Sequence, residues 1–400
     1  MYMNGKSKPA WKFVVGIDLF LVFSTFLLIH VYDKPHLWRY LWRFLAPLNL
    51  GGEMNISVWW SGITLALAGF IAYEIFCDDA ARSRSAWLAL SVILLGLSID
   101  EICSIHERVD NQTLSLMFKS IIIFLSAYSF FKLLKDVGTR GSAKLIIAGF
   151  LCYGLVVGQE HIEHAITWPH WLLGVRLALE EGTELLGTLL ILLGVVPNRK
   201  TDLPTSSLFS VVPLVPNPSN FKGLRAFLFI GTGLGAAVSL LVFPLLSDVG
   251  KRGNPSVWYP SILYLLVSCA LFWEAQKTIS SPTAMPYSLS ILFLLSSIYC
   301  VYPLYKLFPE IEWIVPYRVL QYSGIYFIQL AGTWVFHKKH KQLSAGQRNV
   351  FMAFAALAIL SLFFRDASIK LLILSLASFC TASIFLKGEE EAKSPIRVAM

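Results

Sequence analysis

Long apolar segments recur from one end of this sequence to the other, separated by short polar or charged stretches. Each segment holds about 18 residues or more, which lets a helix cross the roughly 30 Å hydrocarbon core of a bilayer. The chain is 56% hydrophobic and only 14% charged, whereas soluble domains are about 25% charged. We therefore predict an all-α integral membrane protein.

We predict about twelve transmembrane helices from the apolar runs and their polar flanks. The eleventh run is short, and Arg365 and Asp366 separate it from the twelfth. These last two runs form either two crossings or one re-entrant hairpin, so the count is about eleven or twelve. The predicted spans are residues 13–31, 57–76, 85–105, 114–134, 144–164, 171–196, 224–246, 257–276, 287–307, 316–336, 349–364 and 369–386.

Basic residues indicate the orientation of these spans. When the N-terminus is placed in the cytoplasm, the inner loops and tails hold about twice as many Lys and Arg residues as the outer loops. The positive-inside rule therefore predicts that both termini are cytoplasmic. Because the net charge of +8 reflects this orientation, we expect membrane lipids as partners and no nucleic acid. The sequence leaves the oligomeric state open.

A stretch rich in Pro and Ser, residues 197–223, is predicted to be a cytoplasmic linker between two halves of the protein. Residues 1–196 contain six predicted spans and nearly all the acidic residues at membrane depth. Residues 224–386 form a hydrophobic half with many aromatic side chains, and residues 387–400 form a cytoplasmic tail. This asymmetry predicts that the first half carries the functional site and the second half supports it.

Acidic and histidine side chains interrupt three spans of the first half. An ionisable group at membrane depth costs roughly 2.5–3.5 kcal/mol on insertion scales, so such groups indicate a functional site. In the predicted orientation all of them lie in the outer layer of the membrane. They are Asp100, Glu101, His106 and Glu107 in the third span, Glu160, His161, Glu163 and His164 in the fifth, and Glu180, Glu181 and Glu184 in the sixth.

Helical phase gives these residues provisional roles. At about 100° per residue, each span turns a polar stripe to one side. Carboxylates and imidazoles at i, i+3 and i+4 on neighbouring helices hold iron or manganese in helical bundles, and oxygen and nitrogen ligands suit Fe, Mn or Zn. No strict Glu-x-x-His pair occurs in the fifth span, so the metal hypothesis is not a motif match. The hypothetical metal ligands are Glu160, Glu163, His164, Glu180 and Glu184, and the expected catalytic acid or base groups are Asp100, Glu107, His161 and Glu181.

Three further charged residues are expected to contact substrate or to balance charge. They are Glu53 before the second span, Lys119 in the fourth and Arg176 in the sixth. Lys119 and Arg176 either neutralise carboxylates or bind an anionic head group. Trp59 and Trp60 are expected in an outer interfacial belt of aromatic residues. An alternative for the groups near span ends is that they reach interfacial water and have no further role.

Several stretches in the first half resemble a family of uncharacterised multi-pass bacterial membrane proteins. The matching elements are Glu53-Met54-Asn55 before Trp59-Trp60-Ser61, and Ser98-Ile99-Asp100-Glu101 before Ser104-Ile105-His106-Glu107. A Glu-rich segment, Leu179 to Leu185, follows them. The resemblance covers roughly residues 50–190 and implies a location in the bacterial cytoplasmic (inner) membrane. It implies no activity.

Two functional hypotheses follow from these residues. The first is a membrane-embedded enzyme, with or without a metal ion, that acts on a lipid or polyprenyl-type substrate from the outer leaflet. The acidic and histidine residues would be its metal ligands or acid/base groups. The second is a proton- or cation-coupled transporter that uses the same buried carboxylates, since acids within spans also line transport pathways.

Overall fold

A computed structural model describes residues 8–32, 45–50, 56–103, 112–165 and 169–198, together with Pro216 and scattered residues between 258 and 356. All regular structure in these residues is helical, and they contain no strand. The chain divides into two compact units, Met1–Pro216 and Asn217–Met400. The prediction of an all-α fold is therefore confirmed for the described part of the chain.

Six long helices make up the described part of the first unit. They are α1 (Lys8–Tyr32), α2 (Ile56–Cys77), α3 (Arg84–Cys103), α4 (Gln112–Lys135), α5 (Arg140–Ala165) and α6 (His170–Val195). Short 3₁₀ turns occur at Ala46–Leu48 and Val196–Asn198. Each of the first six predicted spans falls on one of these helices. Most residues of the later predicted spans lie outside the described residues, as do the two termini.

Three of these helices are long and apolar enough to cross a membrane. They are α2, α3 and the segment Arg140–Gln159 of α5. Helices of 20 to 22 residues span about 30 Å at 1.5 Å per residue, which is the thickness of the hydrocarbon core. The described helices are therefore those expected of a membrane protein.

The helices pack around one apolar core. The most extensive contacts pair α2 with α3 and α5 with α6, and α6 also packs against α1 and α2. Trp87, Leu90 and Leu94 lie fully buried along one face of α3. They belong to a cluster with buried side chains from the other five helices, among them Val14, Leu65, Leu133, Ile146 and Ile191.

Glycines allow two of the helix pairs to approach closely. A Cβ on Gly149 of α5 would lie 2.5 Å from the carbonyl oxygen of Gly187 on α6. On α2, a Cβ at Gly62 would overlap the side chain of Ile102 on α3. Small residues at such contacts are typical of helices packed in membranes, where close approach of backbones drives association.

The start of the first unit is held together by polar contacts to a short turn. The buried face of α1 carries residues 14, 18, 21, 25 and 28, which is the spacing of a helix-packing stripe. At Thr25 the hydroxyl oxygen accepts a hydrogen bond of 2.9 Å from the backbone nitrogen of Leu50. Ser57 at the start of α2 donates to the carbonyl of Leu48 at 2.8 Å. The turn thereby joins α1 to α2.

One end of the helical unit is rich in basic residues. Arg82, between α2 and α3, lies 3.4 Å from Asp136, between α4 and α5. Asn198, just after α6, donates to Ser142 at the start of α5 at 2.8 Å. These contacts bring both loops and the end of α6 to the same end of the bundle. The same end carries Arg84, Lys132, Lys135, Arg140 and Lys144.

The described residues of the second unit include two pairs of serines joined across two helical segments. Ser261 and Ser297 each donate to the other's carbonyl oxygen, at 3.0 and 2.8 Å. Ser268 and Ser290 form the same reciprocal contact at 2.8 and 2.9 Å. The pairs are seven residues apart on both segments, and the order is reversed, so the two segments run antiparallel. Polar contacts of this kind hold helices together in membranes.

Candidate functional site

The centre of the candidate site is a pair of carboxyl groups from two helices. Glu101 near the end of α3 lies beside the side chain of Glu184 on α6, and it also interacts electrostatically with Glu181. All three side chains are partly buried. A carboxylate has no donor, so a hydrogen bond between two carboxyl groups requires a proton on one of them. If Glu101 and Glu184 are hydrogen-bonded, they share one proton.

The position of Glu101 follows from how α3 packs. Ser98, one turn earlier and fully buried, donates a hydrogen bond of 2.7 Å to the carbonyl of Gly62 on α2. Residues 98 and 101 are three apart, so they lie on the same side of the helix. The contact that fixes Ser98 therefore also directs Glu101 into the bundle. On α6, Glu181 and Glu184 have the same spacing of three and lie on one face.

Hydroxyl groups continue the polar region beyond the carboxyl pair. The Tyr153 hydroxyl of α5 lies 2.6 Å from the Thr188 hydroxyl of α6. Because Thr188 donates its own proton to the Glu184 carbonyl oxygen at 3.1 Å, Tyr153 is the donor to Thr188. Tyr153 also interacts electrostatically with Glu184 and Glu101. The buried Ser61 hydroxyl of α2 lies beside both Tyr153 and Glu101 but makes no well-formed hydrogen bond.

The structure describes some of the residues predicted for the site. Glu180, Glu181 and Glu184 are partly buried on α6, as are Asp100 on α3 and Arg176 on α6. Lys119 is exposed on α4, between the exposed side chains of Met117 and Ile121. The roles assigned to all of these residues stay predictions. Glu53, Glu107 and the side chains of Glu160, His161, Glu163 and His164 lie outside the described residues.

The metal hypothesis is unsupported in the described part of the chain. No group of three or more His, Cys, Asp or Glu side chains among the described residues is arranged to hold a metal ion. Three of the five hypothetical ligands, namely Glu160, Glu163 and His164, have side chains outside the described residues. Their part in a metal site stays a prediction.

Glu101 was not given a role from the sequence, although a signal for it exists. At about 100° per residue, Asp100, Cys103, Ser104 and Glu107 share one side of the third predicted span, and this pattern favours Asp100 as the member of the site. The buried positions 87, 90, 94 and 98 of α3 repeat at intervals of three and four, and position 101 continues that series. The sequence does not distinguish the hydroxyl groups of Tyr153, Ser61 and Thr188 from others, because single hydroxyl groups are common in apolar helices.

The expected place of Trp59 and Trp60 in an interfacial belt is not what the structure shows. Trp59 is only 5% exposed, and the Trp60 indole donates a hydrogen bond of 2.8 Å from Nε1 to Oδ1 of Asp18 on α1. Trp60 also packs against the apolar core. Both side chains are held inside the bundle because neighbouring helices cover this part of α2, which the sequence of α2 alone does not reveal.

The fold and the site define a helical protein with membrane-length helices and a buried carboxyl pair. Residues 14–196 match the family model described as "Domain of unknown function (DUF8692)". This match covers α1 from residue 14 onward and all of α2 to α6, and it confirms the resemblance to an uncharacterised family. No curated protein and no solved structure matches the chain.

Proposed function

We propose that the protein is a membrane-embedded enzyme that uses Glu101 and Glu184 as its acid/base centre and acts on a lipid-like substrate. The observation that carries this proposal is that the two carboxyl groups lie side by side within the bundle. One carboxyl group of such a pair holds a proton and the other is ready to accept one. The pair thus offers a general acid and a general base in the same place.

We include Glu181 as the third carboxyl group of this centre. It lies on the same face of α6 as Glu184 and interacts with Glu101, so its charge influences which carboxyl group holds the shared proton. Tyr153 is placed to donate to a substrate oxygen when it is not bonded to Thr188. Asp100, Glu107 and His161 remain proposed acid/base groups, and Glu53, Lys119 and Arg176 remain proposed substrate-contacting or charge-balancing groups.

The proposal of a lipid-like substrate is supported by the exposed apolar side of α6, the helix that carries Glu181 and Glu184. Leu179 is 59% exposed and Leu186 is 48% exposed, and these two residues flank Glu180, Glu181 and Glu184 along α6. At about 100° per residue these leucines lie on the opposite side of α6 from Glu181 and Glu184, so the helix is apolar on its outer side and acidic on its inner side. A substrate with a hydrocarbon tail and a polar head suits such a helix. Such a substrate reaches the site from the membrane without passing through water.

We place the enzyme in the bacterial cytoplasmic membrane, with about twelve spans and both termini in the cytoplasm. The loop contact between Arg82 and Asp136 supports this orientation, because it gathers two basic loops at one end of the bundle. Under the positive-inside rule that end is cytoplasmic. The carboxyl pair, near the opposite end of α3, then faces the outer leaflet.

A metal ion remains part of the proposal only as an addition to the carboxyl pair. Glu160, Glu163 and His164 would supply ligands together with Glu180 and Glu184, and Fe, Mn or Zn would suit them. Elemental analysis of the purified protein beside a folded Glu160→Ala, Glu184→Ala variant tests this addition. A stoichiometric metal that the variant loses supports it, and equal metal contents contradict it.

A second candidate, proton-coupled transport, is favoured by the hydroxyl groups. From the carboxyl pair, Tyr153 and Thr188 continue one turn along α6 towards the basic end. A row of groups that can exchange protons is the arrangement expected of a proton pathway. The same carboxyl pair would then load and release a transported proton instead of catalysing a reaction.

One experiment separates these functions. The purified protein is reconstituted into vesicles of bacterial lipid extract, and the lipids are followed by mass spectrometry while a trapped dye reports internal pH. The enzyme proposal predicts conversion of a lipid class that Glu101→Gln and Glu184→Gln each slow by about 10²- to 10⁴-fold. Asp79→Asn, a change at a side chain 73% exposed at the opposite end of α3, should not slow it.

The same vesicles also show the outcomes that would contradict the enzyme proposal. Proton movement that Glu184→Gln abolishes, with no lipid converted, would contradict the enzyme proposal and support proton-coupled transport. Unchanged lipids and unchanged internal pH with all variants would contradict both functions.

A further inference from the structure

A second carboxyl group lies inside the bundle, apart from the Glu101–Glu184 pair. Asp18 sits in the middle of α1, where it is only 8% exposed. No other residue between 13 and 29 is ionisable. A buried acid in a membrane-length helix is costly and indicates a function, yet neither the site described above nor the matching family assigns one to Asp18.

The two oxygens of Asp18 have different surroundings. Oδ1 accepts the 2.8 Å hydrogen bond from the Trp60 indole. Oδ2 is fully buried and has no hydrogen-bond partner. An unpaired buried oxygen costs about 1–3 kcal/mol, and an asparagine at this position would avoid the further cost of a buried charge. A proton bound to Oδ2 would remove the negative charge and its desolvation cost.

Among the described residues of α1, α2 and the turn between them, no cation lies close enough to pair with Asp18. On α1 the nearest charged residue is Lys12, more than one turn away at an exposed position. On α2 the nearest titratable residues after Trp60 are Tyr73 and Glu74, more than three turns further on. The turn Leu45–Leu50 contributes no titratable group.

The third neighbouring element, α6, carries three acids along the stretch that packs against α1, and its basic residue Arg176 lies further from Asp18 than they do. Leu185 packs with Leu21 of α1. A Cβ atom placed on Gly182 would lie within 4 Å of the side chain of Val22 on α1. Along this stretch the titratable residues of α6 are Glu180, Glu181 and Glu184. Nearby acids disfavour a second negative charge, which again favours a proton on Asp18.

We propose that Asp18 is a second proton-binding site, in which Trp60 holds one carboxyl oxygen and leaves Oδ2 to take up and release a proton. The step is the addition of one proton from water to the carboxylate, and no bond breaks. Ser61 follows Trp60 directly and lies beside Glu101. Residues 60 and 61 of α2 therefore contact one proton-binding site each, on two sides of the helix.

Infrared difference spectroscopy tests this proposal on the full-length protein in lipid vesicles. Spectra are recorded from about pH 4 to pH 10, the range over which perturbed carboxyl groups titrate. The wild type should show the C=O band of a buried carboxylic acid whose intensity falls as pH rises. Asp18→Asn should remove this band, and the exposed-site control Asp79→Asn should retain it.

A second variant keeps the test decisive if Asp18→Asn does not fold. Trp60→Phe leaves Asp18 in place but removes the donor to Oδ1, so the Asp18 band should move to higher frequency and titrate at a different pH. An unchanged band in Trp60→Phe would overturn the proposal. So would a band in the wild type that Asp18→Asn removes but that does not respond to pH, because Asp18 would then be a permanently neutral structural group.

The outcome does not depend on the role of the other carboxyl groups. Glu101→Gln should alter the band of the shared proton and leave the Asp18 band unchanged. Loss of the Asp18 band only in Asp18→Asn therefore supports the second site even if the Glu101–Glu184 pair proves to have no enzymatic function.

Discussion

At the scale of single residues, the site depends on which groups share protons. Tyr153, Thr188 and the Glu184 backbone form a directed chain, because Thr188 donates to the Glu184 carbonyl and receives a hydrogen bond from Tyr153. Such side-chain contacts in membrane proteins contribute modestly, since the unfolded chain in the membrane also finds partners. Their main effect here is to hold Tyr153 next to the carboxyl pair.

This chain predicts a measurable coupling between the two hydroxyl groups. Tyr153→Phe and Thr188→Val should each destabilise the protein by about 0.5–1.5 kcal/mol, and the double variant should lose less than the sum. Unfolding in mixed detergent micelles measures all three. Ser129→Ala serves as control, because the Ser129 hydroxyl donates only to its own helix. Strict additivity for Tyr153 and Thr188 would show that the hydroxyl contact does not form.

At the scale of helices, the glycines of α5 and α6 set the distance between the helices that carry Tyr153 and Glu184. At Gly149 a methyl group would collide with the backbone of Gly187, and a backbone cannot move aside as a flexible side chain can. The two helices would have to separate, which would draw Tyr153 away from Thr188.

Matched alanine variants on α5 test this dependence. Gly149→Ala should destabilise the protein by about 1–3 kcal/mol, as overpacking does. Gly154→Ala on the same helix meets nothing within 4 Å and should be neutral or stabilise by about 0.4–1 kcal/mol. Thermal unfolding compares them. Equal effects of the two variants would mean that α5 and α6 are not in close contact at Gly149.

The helices were more predictable from the sequence than the contacts between them. Apolar runs of membrane length reveal where a helix lies, and all six described helices were found in that way. Which of two adjacent acids faces the bundle depends on the helices packed around α3. The sequence of α3 alone therefore favours Asp100 over Glu101. Trp60 and Asp18 lie 42 residues apart, and no local pattern indicates that they meet.

At the scale of the whole molecule, the basic end of the bundle defines its orientation in the membrane. The loops at Arg82 and Asp136 meet at this end. The beginning of α4 lies at the other end of that helix, about 36 Å away for a helix of 24 residues. A reagent that cannot cross the membrane should therefore reach these two places from opposite sides.

Cysteine labelling in intact and lysed spheroplasts tests the orientation. A thiol introduced by Asp79→Cys should react with an impermeant maleimide only after lysis, and one introduced by Gln112→Cys should react in intact spheroplasts. The unmodified protein measures the background from native cysteines, of which Cys77 and Cys103 are buried. The opposite pattern would place the carboxyl pair towards the cytoplasmic leaflet.

A double-mutant cycle at neutral pH tests whether Glu101 and Glu184 share a proton. Free energies of unfolding are compared for wild type, Glu101→Gln, Glu184→Gln and the double variant, beside a cycle of Asp79→Asn with Glu184→Gln. We predict a coupling of about 0.5–3 kcal/mol for the first pair and additivity within about 0.5 kcal/mol for the distant pair. Additive effects of Glu101→Gln and Glu184→Gln would show that the two carboxyl groups do not share a proton.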